Sequence, residues 1–184
     1  MQGWVARLVG RRSFWFSVLA VLFGTPLLRG LSQRGPPAQP PVLGAFPAFS
    51  VLDEQGARFT AADLHGRAFI ANLLCASCGD AELGAATMRA LQHRTRNLGD
   101  AVRLVSFSLG TDQAALRDIR RRYGGGQRWI FLTGIPAPAK ALFGNSAMLL
   151  LVDGRLHIRG RYPTNGAEDV ERVLRDSALV AAVP

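Results

Sequence analysis

Cys75 and Cys78 are the two cysteines of this chain, and they stand three residues apart in Cys75-Ala76-Ser77-Cys78. An apolar run, Ala68-Phe69-Ile70-Ala71-Asn72-Leu73-Leu74, leads directly into them and reads as a buried strand. Behind them, Glu82 to Gln92 reads as the start of a helix that continues to about Leu98. A thiol in a turn between strand and helix is chemically useful. Unpaired backbone N–H groups and the helix dipole favour thiolate over thiol there. A thiolate attacks a disulfide or binds a soft metal ion. The bland alternative is that two small buried residues happen to fall close together.

The elements that must position this turn occupy the later part of the 184-residue chain. One globular domain of about 140 residues is expected, long enough to bury a sizeable core. The net charge of +9 is almost all arginine, since Lys140 is the single lysine. The arginines are scattered except for Arg120-Arg121-Arg122, which suits the end of a helix. No basic stripe interleaved with aromatic residues is present, so a nucleic-acid partner is not expected.

The N-terminus is different in kind. Ser13 to Leu28 is free of charge and follows Arg7, Arg11 and Arg12, the pattern of a signal segment or short membrane anchor. No Ala-x-Ala cleavage site follows and no cysteine is placed for lipid attachment, so an uncleaved anchor over 13–31 is expected, with Arg29 snorkelling. The preceding arginines predict a cytoplasmic stretch over 1–12 and the main domain on the far side of the membrane. Gly10-Arg11-Arg12-Ser13-Phe14 loosely resembles a twin-arginine export signal. Residues 32–41, with Pro36, Pro37, Pro40 and Pro41, form a stiff linker. The domain then spans 42–184.

Within it, Phe49 to Asp53 and Ala57 to Thr60 read as a hairpin turning at Glu54-Gln55-Gly56, with Thr60 placed to cap a short helical turn. Val102 to Ser108 is a second buried strand, Asp112 to Tyr123 an amphipathic helix stopped by Gly124-Gly125-Gly126, and Trp129 to Leu132 a short strand. Ala147 to Val152 and Arg155 to Tyr162 form a hairpin around Asp153-Gly154, and Ala167 to Leu179 closes the chain as a helix. Strands alternating with helices predict an α/β fold in three layers, which a thioredoxin-like arrangement fits.

The domain resembles the Sco/SenC family. The ordered pieces are Gly44 to Gly56, Phe59-Thr60-x-x-Asp63-Leu64-x-Gly66-Arg67, Val102 to Ser108, Arg128 to Gly134, and Asn145-Ser146 followed by Leu150 to Arg155. The resemblance covers about residues 42 to 180. It implies a thioredoxin-like fold, a copper site of two cysteines and one histidine, and delivery of copper or reducing equivalents to the dinuclear copper centre of cytochrome c oxidase. It also implies a single-pass bacterial inner-membrane protein with its soluble domain in the periplasm. The partner would be the oxidase subunit that carries the copper centre, or another periplasmic redox or copper protein.

The ligand set departs from the family's. The family spaces its cysteines Cys-x-x-x-Cys, and the register puts the first on Cys78 and the second on Glu82; the histidine position holds Asn145. Cys75 is a replacement thiol three residues earlier. His65, His93 and His157 fall in a turn, a helix and a hairpin strand, and sequence assigns none of them to the site. Three readings follow. Cys75 and Cys78 hold Cu(I), with Glu82 and Asn145 at the altered ligand positions, because two thiolates suffice for Cu(I) while a carboxylate is a poor soft-metal ligand. Alternatively the pair cycles between dithiol and disulfide as a thiol-disulfide oxidoreductase. Against this, the place of a thioredoxin's second cysteine holds Ala81, and Ser146-Ala147-Met148 lacks the cis-proline. In the third, both chemistries are lost and the domain is a binding module. A peroxidase built on Cys78 and Glu82 lacks the required Pro/Thr approach, since residues 74 to 77 are Leu-Cys-Ala-Ser.

Overall fold

The computed structural model describes residues 12–32, 38–74, 81–124, 126–144, 148–164 and 167–181. Two compact units divide between Ala38 and Gln39. Among its described residues the first contains one helix, α1 (Arg12–Ser32), with Pro26 inside it and Arg29 in its last turn. Among the described residues no helix is long and apolar enough to cross a membrane.

The second unit is built on a six-stranded sheet. Its strands are β1 (Gly44–Ala45), β4 (Ala68–Leu74), β5 (Val102–Ser108), β6 (Trp129–Leu132), β7 (Met148–Val152) and β8 (His157–Pro163), in the spatial order β1-β8-β7-β4-β5-β6. β4, β5 and β6 run parallel, while β7 is antiparallel to β4 and β8 to β7. A separate hairpin pairs β2 (Ser50–Leu52) with β3 (Arg58–Thr60). Four helices complete the unit: α2 (Ala81–Arg94), α3 (Gln113–Tyr123), α4 (Ala137–Phe143) and α5 (Ala167–Ala181).

β4 is central and covered on both faces, which is why its sequence is an almost unbroken apolar run. Alternate residues serve the two faces. Ile70 and Leu74 point into a core with Met88 and Leu91 of α2, Leu116 and Ile119 of α3, and Val173 and Val180 of α5. Phe69 and Ala71 point the other way, into a core with Phe46, Phe49, Phe107 and Phe143. Phe49 and Phe107 meet edge to face at 5.2 Å, and Phe46 meets Phe69 likewise at 5.6 Å. This is the expected three-layer α/β arrangement.

Several boundaries differ from the sequence reading. The helix after the cysteine turn ends at Arg94, and a 3-10 segment, Arg96–Ala101, takes up the rest. Gly99 stands inside that segment at φ 54°, ψ −136°, which no helix accommodates. Asp112 lies outside α3 as its cap, accepting from the N–H groups of Ala114 (2.8 Å) and Ala115 (3.2 Å). At the short turn after β3 Thr60 is the N-cap, as expected, and Asp63 reaches back to accept from the Thr60 N–H (2.7 Å) and hydroxyl (2.8 Å). The last hairpin turns over 153–156 and not at a two-residue Asp-Gly. Asp153 gathers the N–H groups of Arg155 (2.9 Å) and His157 (2.8 Å), so β8 starts at His157. α4 was not expected from the sequence.

Candidate functional site

The residues proposed to carry the chemistry fall largely outside the described residues. This applies to Cys75 and Cys78, which lie in 75–80, and to Asn145, which lies in 145–147. Glu82 is in the first turn of α2, and its side chain too is outside what is described. The elements that bracket these segments are fixed, and they determine which end of the fold the segments join.

β4 pairs with β5 through Leu74↔Ser108 and with β7 through Asn72↔Leu149. The C-terminal ends of β4 and β5 and the N-terminal end of β7 therefore share one end of the sheet. Further bonds tie that end together: Leu109 N–H to the Leu74 carbonyl, Ile135 N–H to the Ser108 carbonyl and Gly134 N–H to the Gly110 carbonyl, each 3.0 Å. Segment 75–80 leaves β4 here and segment 145–147 enters β7 here. The connection from β4 to β5 runs through α2 on one face, whereas the connection from β6 to β7 runs through α4 on the opposite face. The end of β4 is thus the point where the winding direction switches, the place at which α/β sheets bind their ligands. Gly144 supports the second segment: at φ 64° it ends α4 immediately before Asn145, with its N–H on the Ala141 carbonyl.

Beneath this end lies a buried polar chain. The Trp129 indole N–H donates to the Ser106 hydroxyl at 2.8 Å. That hydroxyl donates to the Asn72 carbonyl oxygen at 2.6 Å. The Asn72 amide donates in turn to the backbone carbonyl of Gly84, in the first turn of α2, at 3.4 Å. Asn72 is 2% exposed and Ser106 and Trp129 are fully buried. Sequence reading passed over these residues. The signal was a polar side chain in the middle of each of two apolar strands. Leaving such a group without its partner costs about 1–3 kcal/mol.

The three histidines are now placed. His65 follows the turn that feeds the start of β4, His93 sits in the last turn of α2, and His157 begins β8 opposite Ala45. All three belong to the end of the sheet away from Leu74 and Ala81. β4 has seven residues, so the two ends lie about 20 Å apart at the rise of a strand. His157 instead faces Asp153, Nδ1 to Oδ2 at 3.4 Å. None of the three is near the residues that bracket the cysteine segment. Among the described residues no cluster of three or more His, Cys, Asp or Glu side chains could hold a metal ion.

A cavity of about 620 Å³ lies elsewhere, lined by Glu54, Gln55 and, from α3, Arg117, Arg120 and Arg121. It has no thiol or imidazole. Glu54 is buried there against Arg120, whose guanidinium also stands 5.6 Å from the Phe131 ring centre.

No family model matches the chain, and no curated protein matches it in sequence. Solved structures do share its fold. BsSco, a member of the Sco family of cytochrome c oxidase assembly proteins in which a disulfide switch was identified, superposes with a TM-score of 0.67 at 16% identity, covering 80% of this chain and all of BsSco. A SCO1/SenC family lipoprotein from Bacillus anthracis gives 0.66 at 19% identity, covering 78% of this chain and 99% of that one. ScoI from Arabidopsis thaliana, a structure with copper bound, gives 0.58 at 18% identity, covering 75% and 98%. The fold is of the Sco/SenC, thioredoxin-like type.

Proposed function

We propose that this chain is a Sco/SenC-like protein with an altered ligand set, which handles Cu(I) or thiol reducing equivalents during assembly of the cytochrome c oxidase copper centre. One observation carries the reading. Both cysteines fall in the strand-to-helix connection at the switch point of a sheet shared with Sco structures. Copper is the cargo, and the copper-bound ScoI structure supports it as the metal. Cys78 is the main thiol and Cys75 its partner. Each loses its proton as copper binds, and two soft thiolates satisfy Cu(I). Glu82 and Asn145 stand where the family's other ligands would be, and neither is a good donor for soft copper. With the histidines at the far end of the sheet, imidazole is missing from the donor set. The site therefore favours Cu(I) and holds Cu(II) weakly.

A second reading uses the same pair without metal, and the disulfide switch of BsSco supports it. Cys75 and Cys78 then give two electrons and two protons to a partner disulfide. The partner leaves as a dithiol and this chain as the disulfide. The charge-free run from Ser13 to Leu28, with Trp15, Phe16, Leu22 and Phe23 exposed along α1, supports an anchor in the bacterial inner membrane. The domain would face the periplasm and the oxidase subunit that carries the copper centre.

Anaerobic Cu(I) loading against a competing chelator tests the reading. One copper per chain, lost in Cys75→Ala and in Cys78→Ala, is expected. Failure to retain copper, together with a pair that forms no disulfide across a redox series, leaves a binding module without site chemistry and overturns the reading.

A further inference from the structure

We propose that the Trp129–Ser106–Asn72 chain is a positioning device that sets the first turn of α2, and through it the reactivity of the Cys75/Cys78 pair; this rests on the reading of that pair as the working thiols.

The chain crosses three neighbouring strands in order, β6, β5 and β4, and ends on the helix that follows the cysteine segment. Its direction is fixed by chemistry. An indole N–H only donates. The Ser106 hydroxyl that receives it donates in turn to the Asn72 oxygen. The Asn72 amide N–H groups are thereby turned toward Gly84. Rotating the amide by half a turn would set two oxygens against each other at Gly84 and strip Ser106 of its acceptor.

The helix side is fitted to this contact. Gly84 lacks the Cβ that would stand 3.4 Å from Asn72 Nδ2 and 3.8 Å from the Leu74 side chain, so the turn sits close on the end of β4. The Gly84 carbonyl also accepts from Met88 within the helix. The side-chain bond is thus an addition to the helix and not a substitute for one of its own. Asn72 is three residues before Cys75, and Gly84 is six after Cys78. The bond therefore clamps the two ends of the connection that carries both thiols. Core filling alone does not call for such a chain. A fully apolar replacement of a buried polar group is commonly neutral for stability, and buried polar networks fix a unique arrangement.

The test compares the full chain with Ser106→Ala and with the triple variant Asn72→Leu, Ser106→Ala, Trp129→Phe, which leaves none of the three polar groups orphaned. Two readouts are taken: the dithiol–disulfide equilibrium of the pair in a glutathione buffer, and amide hydrogen exchange at Gly84 to Met88. The expected result is a change of at least about tenfold in the equilibrium constant, about 30 mV for two electrons. Faster exchange in the first turn of α2 is expected in both variants, even where the triple variant unfolds at the same denaturant concentration as the parent. An equilibrium constant within twofold of the parent, with exchange in that turn unchanged, overturns the proposal. If the parent pair forms no disulfide, the redox reading has failed, and the exchange measurement alone decides this proposal.

Discussion

Asp153 holds the last hairpin by accepting from the backbone N–H groups of Arg155 and His157 and from the Arg159 guanidinium at 2.7 Å. Burial pushes its carboxyl up. The hydrogen bonds from His157, Arg159 and Arg155, with the charge of Arg159, outweigh this and leave it below the ordinary 3.8. A carboxyl depressed in the folded state adds stability above its unfolded pKa and withdraws it as pH falls through the folded value. Urea unfolding followed downward from pH 6 should therefore show a loss that sets in below about pH 4. Asp153→Asn should flatten that acid limb while costing about 1–2 kcal/mol at neutral pH. Glu54 and Arg120 make a second residue-scale case. Glu54 is buried, with its side chain 3% exposed against 30% for Arg120, and the Gln55 amide also donates to it at 2.6 Å. Arg120→Ala strands that carboxylate. It should destabilise by about 3 kcal/mol in chemical denaturation, more than Arg122→Ala, whose partner Asp118 is on the surface.

Among the elements, β8 carries a requirement that its sequence conceals. A Cβ on Gly160 would stand 2.2–2.5 Å from the Tyr162 ring and hydroxyl, and Tyr162 is held there by a 2.5 Å bond to Asp176 of α5. Gly160→Ala should cost about 1–3 kcal/mol through displacement of that ring. Near-ultraviolet circular dichroism and a thermal melt would register the loss. The central strands and the amphipathic helices were legible because burial on one or both faces imposes a period on the sequence. α4 was not, because Pro136 and Pro138 read as loop punctuation, yet Pro136 caps the helix and Pro138 occupies its first turn, where no N–H is needed. The Asn72–Ser106–Trp129 chain was illegible for another reason. Its members are 34 and 23 residues apart, and only the strand order brings them together. The same holds for the histidines: sequence left them open, and the turn before β4, the last turn of α2 and the register of β8 put all three at the far end.

At the scale of the whole molecule, a doubly covered sheet brings the end of β4 and the start of β7 to one switch point. Segment 75–80 contains both cysteines, and segment 145–147 contains Asn145, where the Sco/SenC resemblance implies a histidine. The function we propose keeps thiol chemistry without imidazole, and centres on a soft, two-sulfur site for cuprous copper. The most direct test is copper-edge X-ray absorption on the Cu(I)-loaded chain. Copper coordinated by two sulfurs with no imidazole scattering, and lost in Cys75→Ala, is the predicted result. A shell containing histidine nitrogen, or one unchanged by Cys75→Ala, would contradict it.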